Sequence, residues 1–213
     1  MSLNTSAVAA LAAERGLTRL ELDQGHLYLQ QIQDGIVGAM KGLSEAQWRF
    51  KPAPDQWSIA QIMEHVIFVQ ERVLGMRREQ LAHAPAVPTG YDYKRVDEII
   101  ITQFPNRLSK FPSPHQPAGD LARSEALDLV IKNQAGLAKY LDSTPDLRQH
   151  GIEAAPLKAV SNGAYEWMDG YQWILAAAAH TERHTKQILE VKANPDFPRT
   201  EDFLHAYSEW PRR

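Results

Sequence analysis

The stretch DGYQWILAAAAHTERHTKQILEVKANP, residues 169–195, decides the fold. Asp169 followed three residues later by Gln172 has the form of a capping box, and Asn194-Pro195 stops a helix at about Ala193. With residues placed 100° apart, Trp173, Ala176, His180, His184 and Val191 share the one face such a helix buries. Two imidazoles therefore point inward from adjacent turns. Their Cβ atoms are about 5–6 Å apart, a span from which both rings can reach one ion through bonds of about 2.0–2.1 Å. Gln187 shares that face and is a candidate to line a pocket, hydrogen-bonding a histidine or a bound water.

Three more segments repeat the helical period, and no convincing strand pattern occurs. Over residues 18–41, Leu22, Leu29, Ile36 and Met40 fall in one arc, with His26 beside it. His26 is a second candidate for pocket lining, against the plainer reading of a satisfied core histidine. Over residues 58–82, Ser58 and Gln61 form a capping box, and Ile62, Val66, Val69, Val73 and Met76 make the stripe. His65 lies roughly 60° from Ile62, close enough to face the interior. Over residues 124–142, Ser124 suits an N-cap and Leu127, Val130, Ile131, Ala138 and Leu141 line up. The expected fold is all-α: a four-helix bundle over about residues 18–194 with a long connection between its second and third helices.

The connections carry their own signals. Pro52 and Pro54 make residues 42–57 an extended strap. Residues 83–123 hold six prolines and one short helix at about 96–104, too much chain for a simple turn. In the tail, 195–213, Phe203, Tyr207 and Trp210 are spaced among charges, which suggests packing on the body or on a second subunit of a homodimer.

Composition excludes several classes. A chain of 213 residues, 44% hydrophobic and 23% charged, suits one domain over 1–213 with one sizeable core. A net charge of −3 without long runs of one sign gives no grip on nucleic acid or an anionic membrane. Cysteine is absent, so a metal would be held by nitrogen and oxygen alone. The N-terminus lacks a basic segment followed by an apolar run, and the most apolar stretch, 173–179, is too short to span a bilayer; a cytoplasmic location is expected.

Spacing by itself is weak support for a metal: eight histidines in 213 positions give roughly 0.3 His-x-x-x-His pairs by chance. Placement strengthens it, because both members lie mid-stripe and His65 can face the same interior. Burying three unsatisfied imidazoles would cost on the order of 1–3 kcal/mol each, whereas a shared ion satisfies one nitrogen of every ring. The alternative is three core or rim histidines bonded to carbonyls and carboxylates.

Two motifs add to this reading. KPAPDQWSIAQIMEH (residues 51–65) and HTERHTKQI (residues 180–188) resemble the paired signatures of the DinB/YfiT-like superfamily. The resemblance spans about residues 20–193. It implies a four-helix bundle with one divalent ion, zinc or nickel, on three histidines that correspond to His65, His180 and His184. It also implies enzymes that transfer low-molecular-weight thiols, or metal-dependent hydrolases, acting on a small-molecule substrate. Three neutral ligands leave an ion its charge and an open position, where water is acidified or a thiol held ionised. Thiol transfer to small electrophiles is the first reading; hydrolysis of an amide or ester and a non-catalytic metal-binding or stress-response module are the alternatives. Trp57 and Ser58 read as structural, Glu64, Glu182 and Arg183 as turned about 100° away from the ion, and Trp167, Tyr171 and Trp173 as core.

Overall fold

The computed structural model describes residues 16–108 and 115–199. Its order is α1 (Arg19–Met40), α2 (Glu45–Arg49), α3 (Ile59–Arg72), a π-helical turn (Val73–Arg77), α4 (Arg78–Ala82), α5 (Tyr93–Gln103), α6 (Arg123–Ser143), β1 (Gly151–Glu153), α7 (Ala155–Val160), β2 (Trp167–Asp169) and α8 (Gly170–Lys192). Capping chemistry fixes most of the helix starts. Thr18, Ser44, Ser58 and Asp169 each accept from the N–H three residues on, and Glu21, Gln47, Gln61 and Gln172 reach back to the cap N–H. Among the described residues the fold is all-α apart from one short two-stranded antiparallel sheet. α1 packs on α6 and α8, and α3 packs on the same two helices from the other side.

Each helix shows what the pattern captured and what it missed. From Gly170 to Ala179 every residue of α8 is buried, because α1, α3 and α5 all cover this half of the helix. That explains why its most apolar run is not striped. α3 follows its expected face through Ile62 and Val66, but the π-helical turn inserts a residue into the repeat, so Met76 turns outward and Leu81 is buried. α6 starts at Arg123 behind Ala122, which makes no side-chain cap, so Ser124 is not the N-cap. Ile131 faces out, because the buried face of α6 includes Asn133 and Gln134, polar residues that a hydrophobic stripe cannot reveal. The expected strap over 42–57 contains α2.

The absence of strands is also corrected. β1 and β2 pair antiparallel with Gly151 opposite Asp169. Strands of three residues are too short for alternation to show. Residues 195–199 pack on the strap region: Phe197 meets Phe50 edge-on at 5.5 Å and the Pro198 carbonyl accepts from Gln47 Nε2 at 2.7 Å. Phe203, Tyr207 and Trp210 lie outside the described residues.

Two apolar clusters form the core, one around Trp173–Ala179 of α8 and one around Ile188 and Val191 with α3. Between them on α8 lie His180, Thr181 and His184, and Thr181 Oγ1 accepts from buried Gln70 Nε2 at 3.2 Å. The site occupies this polar break.

Arg148 locks the start of α8 in place. Its guanidinium bonds Asp169 Oδ2 at 2.9 Å, Asp97 at 2.6 and 3.0 Å and Glu21 Oε1 at 2.9 Å, with Tyr171 and Tyr93 against its faces at 4.3 and 4.8 Å. Gly170 lets that loop come close: a Cβ there would stand 2.6 Å from Leu147 Cδ2, while its N–H donates to the Leu147 carbonyl at 2.8 Å.

Candidate metal centre

The structure brings His65, His180 and His184 together. His65 sits on the second turn of α3, and the other two come from successive turns of α8. His180 Nε2 stands 3.0 Å from His65 Nε2 and 3.1 Å from His184 Nε2. One ring nitrogen from each of the three lies within 4.8 Å of the others. Bonds of about 2.0–2.1 Å at tetrahedral angles would set ligand nitrogens about 3.3 Å apart. The two separations from His180 Nε2 are within a few tenths of an ångström of that requirement.

Proton accounting supports the same fit. His184 Nδ1 bonds Gln187 Oε1 at 2.8 Å, and since the amide oxygen only accepts, this ring carries its proton on Nδ1 and turns an Nε2 lone pair inward. His180 Nε2 can donate to only one of its two neighbours. The second nitrogen pair is therefore left without a hydrogen bond of its own, which a shared cation would relieve. The His180 Nδ1 atom is buried without a partner among the described residues. The donor set of three neutral imidazoles and no thiolate or carboxylate has the geometry to hold a divalent ion.

Burial keeps the rings neutral. Loss of solvent pulls His65 down to about 4, with His115 adding repulsion, and pulls His184 down to about 3, with His65 adding repulsion. His180 is lowered well below 6.5, again by burial first and then by His184 and His65. Each folded-state value lies below the unfolded one, so the unfolded chain takes up protons first as pH falls. Stability of metal-free protein should therefore be intact above about 6.5 and drop progressively as pH falls toward 4 and below. Burial pushes Asp169 up to about 6 against the pull of Arg148, which acts with the opposite sign, so the comparison needs a triple His65/His180/His184→Ala variant. Thermal midpoints of the metal-free wild type should fall more steeply between pH 6.5 and 4 than those of the variant, and parallel curves would contradict the assignment.

The triad lines a cleft of about 730 Å³, whose wall also includes Trp57, Val69, Val73, Trp173, Arg107 and Arg183. Gln187 lines it as expected and touches both His184 and, at 3.3 Å, Arg107 Nη1. His26 does not. It projects from α1 with 40% of its side chain exposed and pairs with Asp142 at 2.7 Å, because the helix turns it toward α6 and solvent instead of the interior. Trp57, read as structural, lies against the site, with its ring centroid 5.0 Å from that of His65 and 6.4 Å from that of His184. Arg183, expected to face away, also lines the cleft, and its Nη1 bonds the Asn106 carbonyl. Glu64 and Glu182 behave as expected. Glu64 accepts from the N–H groups of Gly119 and Leu121, and Glu182 accepts from the Tyr28 hydroxyl. His115, stacked on Phe68 at 4.1 Å and 6.1 Å from His65, and Arg107 carried no sequence signal, since both reach the site from the proline-rich connection.

Three histidines converging within a helical body define a class of candidate metal-centre proteins, and comparison with known families is specific. A family model of the DinB superfamily matches residues 28–188, more than half of the chain. The chain belongs to the DinB superfamily. It is similar to the uncharacterized protein YuaE of Bacillus subtilis (strain 168), at 24% identity over 158 residues that cover 72% of this chain and 88% of that protein.

Proposed function

We propose that this DinB-superfamily protein is a metal-dependent transferase that joins low-molecular-weight thiols to small electrophiles, using one divalent ion, zinc or nickel, on His65, His180 and His184. The observation that carries it is the meeting of three neutral imidazole nitrogens at the wall of an open cleft. An ion held there supplies positive charge that favours the ionised form of a substrate thiol. The chain's own groups do the rest. Gln187 fixes the His184 tautomer, and Trp57, Val69 and Val73 limit water beside the rings.

The choice of thiol transfer over hydrolysis rests on the acids and bases available. Among the described residues, the carboxylates that line the cleft are Asp55, which is exposed, and Glu190, which Arg107 holds at 2.9 Å. Hydrolysis of an amide requires a proton for the leaving group, whereas a thiol acidified beside the ion would lose its proton to solvent, attack as thiolate and expel a leaving group such as chloride that needs no proton. We read the four long helices as a four-helix bundle and the chain as one domain, cytoplasmic and homodimeric, with neither nucleic acid nor membrane as partner. No helix among the described residues is long and apolar enough to cross a membrane.

The test is to incubate zinc- or nickel-loaded protein with a panel of small thiols and 1-chloro-2,4-dinitrobenzene. At least one thiol should react faster than with His65→Ala. A panel in which no thiol exceeds that variant rules out the transferase, and hydrolysis of an ester indifferent to added thiol would establish the hydrolase instead.

A further inference from the structure

The two ends of the cleft differ in chemistry, and the triad lies between them. From His65, α3 runs one turn to Val69 and on to Val73 at the start of the π-helical turn; from His180, α8 runs back one turn to Ala176 and two to Trp173. These four side chains give one end an apolar wall, with the Arg77 guanidinium 4.5 Å from the Trp173 ring centroid. The Trp173 ring lines that end, and its Nε1–H is buried with no acceptor among the described residues. Toward the C-terminus of α8 the wall changes to Arg183, Gln187 and, from the loop after α5, Arg107. Arg183 is only 8% exposed, so its charge is held inside the wall and not in solvent. Arg107 spends Nε and Nη2 on Glu190 and turns Nη1 to Gln187, on the triad side.

We propose that the cleft takes an amphipathic acid, its carboxylate against Arg107 and Arg183 and its apolar body between Trp173 and Val73, with the reacting atom over the three histidines. Arg107 and Arg183 line the same end of the cleft, and the carboxylate there, Glu190, is bound by Arg107 Nε and Nη2. A bound carboxylate would meet the two guanidiniums through charge-assisted hydrogen bonds, while the apolar end gains from excluding water. Ten residues of helix separate the Cα atoms of Trp173 and Arg183, about 15 Å, and the two long side chains shorten the span that a ligand has to bridge.

This inference relies on the proposed function only for where the reaction occurs, and it is tested by binding. Titration calorimetry on zinc-loaded protein would compare 4-phenylbutyrate with 4-phenylbutyramide, which match in shape and differ in charge. The acid should bind about tenfold more tightly or better. Arg107→Gln and Arg183→Gln should each bring the acid toward the amide and leave the amide unchanged, Arg183→Lys should keep part of the preference, and Ala176→Phe should weaken both probes. Arg107 is the more exposed of the two, so its variant carries the test if Arg183→Gln fails to fold. Repeating the titrations without metal separates the wall from the ion. A preference that needs the metal and survives both Gln variants places the carboxylate on the ion and overturns the proposal, as does equal or absent binding of the two probes. Loss of thiol turnover alone would leave these affinities intact, so failure of the transferase reading is distinguishable.

Discussion

Replacing His184 or His65 with alanine should lower zinc affinity at least about a hundredfold. Structural zinc sites gain about 10–16 kcal/mol from four ligands, or about 3 kcal/mol per ligand, and every 1.4 kcal/mol is a factor of ten. The three rings have no close substitute, because the cleft's carboxylates stand on its exposed rim or are held by Arg107. Competition against a chromophoric chelator gives the affinity directly. Thermal melts give it by linkage: zinc at a hundred times its dissociation constant should stabilise wild type by about 2.7 kcal/mol and the variants far less. His26→Ala is the control and should bind like wild type, since that ring pairs with Asp142 outside the cleft. Wild-type affinity in both ligand variants would mean that the three rings do not share an ion.

The other large effect is expected at Arg148, far from the cleft. Arg148→Met should cost about 3–5 kcal/mol in urea unfolding, the range for breaking a buried ion pair from one side. The cause is the carboxylates left behind. Glu21, Asp97 and Asp169 converge on one guanidinium whose side chain is 7% exposed, and without it they repel one another in a poorly solvated space. The loss should spread to the metal centre, because Asp169 caps the helix that carries His180 and His184. Adding Asp97→Asn and Asp169→Asn to Arg148→Met should restore part of the stability by removing the stranded charges. A loss under about 1 kcal/mol for Arg148→Met would show that the cluster is not a structural lock.

By itself the sequence determined the four long helices, the N-caps of two of them and the inward direction of His65, His180 and His184. Those features follow from hydrogen bonds and side-chain directions set within a few residues, so a 3.6-residue period and a capping pair are enough to read them. The π-helical turn after α3, the buried polar face of α6 and the three-residue strands were not legible, because each is a local exception maintained by packing from elsewhere. Tertiary structure alone decided which side chains surround the three rings. Trp57 folds back from the strap, Arg107 and His115 arrive from the proline-rich connection, and His26 turns out to Asp142 despite lying near the apolar arc of α1. The Arg148 cluster likewise joins residues as far apart as 21 and 169, and neither periodicity nor spacing constrains a contact of that range. Such contacts depend on how whole helices pack, and that is settled by the total burial of two core clusters and not by any short stretch of chain.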